Sequence, residues 1–124
     1  MDERIERRFH NVNRSKTFKN IVNTFSLHEK QVLDIGCSYG EHLAHFGKKS
    51  VGLTTIAREV AYGVSRKLDI RSVDIEHAEG VELGTFDAIF CNNLLEHLYA
   101  PHTFLEKLKT LLRPGGVLIL GVPC

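Results

Sequence analysis

Asp34 is the first residue whose position asks for a chemical explanation. It stands near the end of the run Gln31-Val32-Leu33-Asp34-Ile35, where a purely structural strand rarely places a carboxylate. Gly36 and Gly40 follow, on either side of Cys37-Ser38-Tyr39, and give the backbone freedom that a bulkier residue would deny it. From Glu41 the spacing of Leu43, Ala44 and Phe46 suits one face of a helix. A strand, a glycine loop and a helix in that order bring a backbone edge and a helix N-terminus against a ligand. A buried, hydrogen-bonded structural acid is the competing reading of Asp34. His42 and His45, at i and i+3, have a spacing that permits metal binding, although such a pair more often belongs to a solvated face. Cys37 reads as a small loop residue rather than a nucleophile, because no histidine-paired environment is implied. Tyr39 either covers a ligand or packs on the surface.

Several elements must hold these residues in place. Residues 1–14 are charged and poor in apolar groups, so they predict a loosely ordered arm ahead of a domain spanning 15–124. Phe18, Ile21, Val22 and Phe25 form a helical stripe that begins after Ser15, a suitable N-cap. Short strands are expected at 31–35, 50–53, 69–73 and 86–93. A helix over 57–67 would turn Val60, Ala61 and Val64 inward, and Gly63 weakens it. The segment 76–84 fits either a short helix or a loop. Phe104, Leu105, Leu108, Leu111 and Leu112 give 102–112 the clearest helical face, with Pro101 just before it. Arg113-Pro114-Gly115-Gly116 should stop that helix ahead of a last strand that is apolar on both faces. Strands that alternate with helices, one of them continuously apolar, predict an α/β fold with a parallel sheet.

The bulk composition excludes several classes. The chain has 124 residues, enough for one core, and its 43% hydrophobic and 25% charged content is that of an ordinary globular protein. A net charge of +1, with no dense basic stripe after residue 30, weighs against a dedicated nucleic-acid binder. Arg4, Arg7, Arg8, Arg14, Lys16 and Lys19, which make the start of the chain mildly basic, read as a solvated face. Cys37, Cys91 and Cys124 lie far apart with no CxxC pair, which indicates neither a zinc site nor a disulfide framework. No apolar run approaches roughly 18 residues, and no signal peptide is visible. A cytoplasmic protein with reduced thiols, and with no membrane partner, is the expectation.

Three blocks, "VLDIGCSYG", "FDAIFCNNLLEHL" and "FLEKLKTLLRPGGVLILGVP", stand in the order and at the distances found in one family. The chain resembles the class I S-adenosylmethionine-dependent methyltransferases over residues 30–124, most closely the small-molecule group often called type 11. A dinucleotide-binding Rossmann domain competes less well, since it wants G-x-G-x-x-G and this loop reads G-x-x-x-G. The resemblance implies a Rossmann-like three-layer sandwich with sheet order 3-2-1-4-5 and S-adenosyl-L-methionine across the strand ends. It implies that Gly36, Cys37 and Gly40 form the loop at the methionine part, and that Asp34 orders the loop and helps hold the ammonium group. By the same resemblance, Asp74 accepts from the adenine amino group, Ile75 packs near the base, and Asn92 lies beside the sulfonium and the acceptor.

The chain departs from the pattern in two places. Thr54 stands where the family usually has an acid that binds both ribose hydroxyls, and Glu59 is too far into the next helix to replace it simply. The family's strands 6 and 7 do not follow before Cys124, so a fragment of a longer protein or a minimal form completed by a partner is expected, the edge of the last strand otherwise inviting self-association. His97, beside Glu96, is the candidate general base, with a helix-capping role as the alternative. Relatives with a similar pair bind a divalent metal, but Asn93 replaces an expected acid and no metal site is predicted. The function implied is methyl transfer to a small-molecule acceptor. The alternative is a non-catalytic interaction module on the same fold.

Overall fold

Val32, Leu33, Asp34 and Ile35 form β1 (Val32–Ile35), and every one of its positions is buried. Such complete burial is the property of a central strand in a parallel sheet covered on both faces. In the computed structural model, which describes residues 2–77, 82–92 and 98–121, β1 lies between β2 (Val51–Thr54) and β4 (Phe86–Asn92). β3 (Ile70–Ser72) flanks β2, and β5 (Leu112–Gly121) flanks β4. All pairings are parallel, and the order is β3-β2-β1-β4-β5, as the resemblance implies.

Alternation along β1 sends side chains into two cores. Leu33 and Ile35 join Phe86, Ile89, Phe104 and Leu108, the last two from α4 (Pro101–Lys109). Val32 joins Ala88, Phe90 and Leu27, together with Phe18 of α2 (Lys16–Phe25). Helices therefore cover both faces, giving three layers. Each buried Leu, Ile or Phe contributes about 1.5–3 kcal/mol of transfer free energy. Ser15 caps α2 by accepting from the Phe18 N–H at 3.1 Å. Pro101 occupies the first turn of α4, where its missing N–H costs nothing. Among the described residues, no helix is long and apolar enough to cross a membrane.

The structure corrects several of the sequence expectations. The supposed loose arm is helix α1 (Glu3–Arg14), capped by Asp2 accepting from the Arg4 N–H at 2.8 Å. Glu3 and Glu6 in its first turn and Arg14 in its last complement the helix dipole, and Ile5, Phe9 and Val12 are its half-buried residues, with Val12 packed on the Phe18 core. The helix expected after Glu41 is one 3-10 turn, Leu43–His45. The chain must return to β2 within a few residues. Gly47 donates its N–H to the Leu27 carbonyl at 3.0 Å, and Lys49 takes a left-handed φ of 69°. α3 (Ala57–Ser65) buries Glu59 and Gly63, while Val64 is 74% exposed. Gly63 decides this face, because a Cβ there would lie 2.9 Å from the Ile70 Cβ. Arg113–Gly116 is a bulge inside β5 rather than a stop before it: the register passes from Phe86↔Leu112 to Ala88↔Val117. β5 is also half-buried rather than covered on both faces.

The amino end of the sheet is clamped by side chains. Asp87 accepts the Gln31 N–H at 2.9 Å and Arg113 Nη1 at 2.8 Å, and Arg113 Nη2 reaches Gln31 Oε1 at 2.6 Å. The backbone bond from Gln31 first, then Arg113, hold the Asp87 carboxyl below the usual range. A lowered pKa stabilises the fold above the unfolded carboxyl value, and that stability is lost as pH falls through the folded one. Asp87→Ala is expected to cost about 1–2 kcal/mol near pH 7 in urea denaturation, and less near pH 3.

Candidate functional site

Parallel strands end in a row of backbone groups, and here β1, β2 and the chain leaving β3 end around one cleft of about 390 Å³. It lies outside the carboxyl ends of the strands, the place where open α/β sheets bind ligands. Leu53, Ile56, Val73, Ile75 and Leu98 supply its apolar lining. Thr54, Thr55, Glu59, Asp74 and Glu76 supply its polar lining. An apolar slot with a few convergent polar groups suits a flat heterocycle that carries hydroxyls.

The predicted site residues divide into those on the cleft and those beneath or beyond it. Gly36, Thr54, Asp74 and Ile75 line it. Gly36 has φ +73°, and a Cβ built on it would meet nothing within 4 Å, so a ligand can lie against this backbone. Gly40 and Cys37 are scaffold instead. A Cβ on Gly40 would come within 2.6 Å of Leu68 Cδ1, so this glycine makes room for packing. Cys37 is buried in a small core with Leu43 and Ile70. Burial, followed by the nearby carboxylates of Asp34, Glu59 and Glu41, pushes its thiol well above the usual range, which leaves it inert.

Asp34 lies under the loop at 2% exposure. Its Oδ2 meets no hydrogen-bond donor among the described residues. Burial first, and the Glu41 carboxylate second, raise its pKa to about 8. Among the described residues, that oxygen is not satisfied in the way the competing structural reading asks. A fully buried oxygen without a donor is costly, and a ligand bearing N–H groups would relieve that cost.

Thr54 donates its hydroxyl to Glu59 Oε1 at 2.6 Å and accepts the Ile56 N–H at 3.2 Å. Glu59, in the first turn of α3, is 6% exposed and still reaches the cleft. The expectation that it is too far into the helix is thus corrected. Asp74 accepts from the His77 Nδ1–H at 2.8 Å and from the Glu76 N–H at 3.2 Å, which together close a turn at the cleft rim. The His77 hydrogen bond holds its carboxyl below the usual range.

Asn92 is not in this cleft. It opens onto a smaller groove of about 170 Å³ with Phe18, His42 and Phe90. His42 and His45 are not a solvated face either: their rings pack on Phe18 at 4.7 and 5.4 Å. Burial pulls both imidazoles below the usual histidine range. Tyr39 faces away from the cleft, accepting from Arg58 Nε at 3.0 Å and packing edge-on to Tyr62. His97, Glu96, Asn93 and Cys124 lie outside the described residues.

Sequence reasoning missed Ser38 and Glu59. Ser38 lines the cleft with a left-handed φ of 54°, a conformation that only its place between two glycines hinted at. The burial of Glu59 follows from Gly63 one turn later, which an apolar-spacing count does not register.

A methyltransferase-domain family model matches residues 5–124. The chain belongs to this methyltransferase-domain family. Among its relatives, the ubiquinone biosynthesis O-methyltransferase of Paraburkholderia xenovorans is 37% identical, over 70% of this chain and 41% of that protein. The tRNA U34 carboxymethyltransferase of Idiomarina loihiensis is 33% identical, over 73% of this chain and 32% of that protein. The methyltransferase domain thus spans well under half the length of these curated relatives. Its fold superposes with a TM-score of 0.76 on an amino pentose methyltransferase from Micromonospora echinaspora, solved with S-adenosylmethionine bound. That match has 20% identity and covers 100% of this chain and 58% of the other.

Proposed function

We propose that the chain is an S-adenosyl-L-methionine-dependent methyltransferase acting on a small-molecule acceptor. The observation that carries the reading is that one cleft gathers Gly36, Thr54, Asp74 and Ile75, all positions that the family likeness assigns to the cofactor. The residues fit the group. Asp34 Oδ2 is a buried acceptor with no donor among the described residues, a lack that an ammonium group would fill, and the space before Gly36 is open. Ile75 and its apolar neighbours suit a purine, and the Asp74 carboxylate stands at the rim to receive its amino group.

S-adenosylmethionine supplies an electrophilic methyl group on a sulfonium, and its transfer is a direct displacement. The protein's part is proximity and alignment, with a base needed only when the acceptor must lose a proton. His97 is the residue assigned to that base, and Asn92 is assigned to the acceptor side. Cys37 and Gly40 belong to the site as scaffold, by fixing the loop over Asp34. The two relatives named above act on different acceptors by name, so the acceptor atom does not follow from kinship. A cytoplasmic setting is part of the proposal, in keeping with buried thiols at Cys37 and Cys91. Self-association or a partner at β5, where Leu120 is 37% exposed, is also part of the proposal.

Calorimetric titration with S-adenosylhomocysteine, with NAD as comparator, tests the reading. One site for S-adenosylhomocysteine and none for NAD is expected. A folded chain that binds neither would leave the non-catalytic module, and NAD binding would restore the dinucleotide-binding Rossmann reading.

A further inference from the structure

Thr54 occupies the end of β2, but its hydroxyl is already committed. Its one proton goes to Glu59 Oε1 at 2.6 Å, and one of its lone pairs takes the Ile56 N–H at 3.2 Å. It has at most one acceptor site left for a ligand, and no donor. Glu59 is in the opposite condition. Its carboxylate is an acceptor for several hydrogen bonds, it lines the cleft at 6% exposure, and Thr54 is its only side-chain hydrogen-bond partner among the described residues. A buried carboxylate so sparsely bonded, open to a ligand cleft, calls for a ligand that brings hydroxyl donors.

The local fold explains how a helix residue reaches a strand end. α3 starts at Ala57 after Ile56, an N-cap residue whose side chain makes no capping bond. Glu59 holds the third helical position, from which a glutamate side chain ordinarily folds back toward the N-cap backbone. Here it folds back two residues further, onto the Thr54 hydroxyl. Gly63, one turn on, lets α3 settle on Ile70 and so draws the Glu59 face of the helix inward. The helix N-terminus also favours negative charge at this point.

We propose that Glu59, held by Thr54, is the carboxylate that binds the vicinal hydroxyls of the nucleoside ribose, and that Thr54 is its positioning residue. This rests on the cofactor reading above and deepens it. The acid missing from the strand end is supplied from the first turn of the following helix. A vicinal diol donates two hydrogen bonds to one carboxylate, which matches the acceptor capacity that Thr54 leaves unused on Glu59. The purely structural alternative is that Glu59 only ties α3 to β2.

The test is a cycle between protein and ligand. Wild type, Glu59→Gln and Thr54→Val are titrated with S-adenosylhomocysteine and with its 2′,3′-dideoxy analogue. Glu59→Gln should weaken S-adenosylhomocysteine roughly 10- to 100-fold and leave the dideoxy ligand within about 2-fold, as expected for losing a charge-assisted contact to the diol. Thr54→Val should lower affinity for the diol ligand by a smaller factor and spare the other. Equal losses for both ligands would reduce Glu59 to a structural tie, and no loss would also overturn the proposal. Should Glu59→Gln not fold, the wild-type comparison decides alone: equal affinity for the two ligands overturns the diol contact. Failure of wild type to bind S-adenosylhomocysteine at all is a separate result, which overturns the cofactor reading and this inference with it.

Discussion

Asp34→Asn is expected to stabilise the unliganded protein near neutral pH while removing most of its affinity for S-adenosylhomocysteine. The stability half follows from proton linkage. The Asp34 pKa is raised from 3.8 to about 8 in the folded chain, by burial first and by the Glu41 carboxylate second. Between those values the folded protein holds a proton that the unfolded chain has released. Stability contributed by the neutral acid is therefore complete below pH 4 and is lost as pH rises toward 8, at up to about 1.4 kcal/mol per unit. Asparagine does not titrate, so the variant lacks that slope. After allowance for burying an amide, a gain of about 1–3 kcal/mol at pH 8 is expected, shrinking to nothing near pH 4. Urea denaturation at several pH values measures this. Parallel curves for the two proteins would show that Asp34 does not titrate in this window.

The binding half follows from the same oxygen. Oδ2 has no hydrogen-bond partner among the described residues, so an ammonium group placed against it gains a strong contact and draws the carboxyl toward its ionised form. Binding near pH 7 should then release a proton. The titration heat should vary with the ionisation enthalpy of the buffer in wild type and not in Asp34→Asn. A site that is destabilising when empty and favourable when filled is a common cost of function.

Asp34 was legible in the sequence because an acid at the end of an apolar strand is out of place unless something needs it. The sheet was legible for a related reason: Val32–Ile35 and Phe86–Cys91 are too short and too apolar to be anything but buried strands. Elements stabilised by other means were not. α1 has no fully buried residue and is held by its cap, its terminal charges and the half-buried Ile5, Phe9 and Val12, with Phe9 packing on Tyr62 at 6.0 Å. The loop from Glu41 to Lys49 carries helical spacing, but its length is set by the return to β2. In α3 the stripe Val60-Ala61-Val64 promises an inward face, which Val60 keeps by packing on the core of Cys37, Leu43 and Ile70 while Ala61 and Val64 are exposed. The absence of a side chain at Gly63 overrides the rest, because contact with Ile70 is won by the smallest residue. Glu59 went unrecognised through that same error, since a helix rotated to bury Val64 would aim Glu59 elsewhere. Spacing reports which residues could share a face; packing chooses the face.

Two glycines in the same region should fail in opposite ways when a methyl group is added. Gly36 already has φ +73° and open space before it, so Gly36→Ala carries only the cost of a left-handed alanine, about 1 kcal/mol, and the fold should survive. On the proposed cofactor reading its methyl would stand against the ligand, so affinity for S-adenosylhomocysteine should fall far more than stability does. Gly52 sits in the middle of β2, and a Cβ there would lie 2.7 Å from Cys37 Sγ, 2.8 Å from Leu43 Cδ2 and 2.9 Å from Cys37 Cβ. Such overpacking in a close-packed interior costs about 1–3 kcal/mol, and for a domain of this size roughly 4 °C of melting temperature per kcal/mol. The strain falls on Cys37, and through it on the glycine loop above Asp34, so binding should weaken as a consequence of the fold. Cys37→Ala removes the nearest clashing atom. The double variant Gly52→Ala/Cys37→Ala should therefore recover at least about 1 kcal/mol relative to the sum of the single changes. Strict additivity in thermal and urea denaturation would mean that Cys37 does not bear the strain, and that the loop is held to β2 mainly by the Gly36 and Cys37 N–H bonds to the Leu53 carbonyl at 2.9 Å.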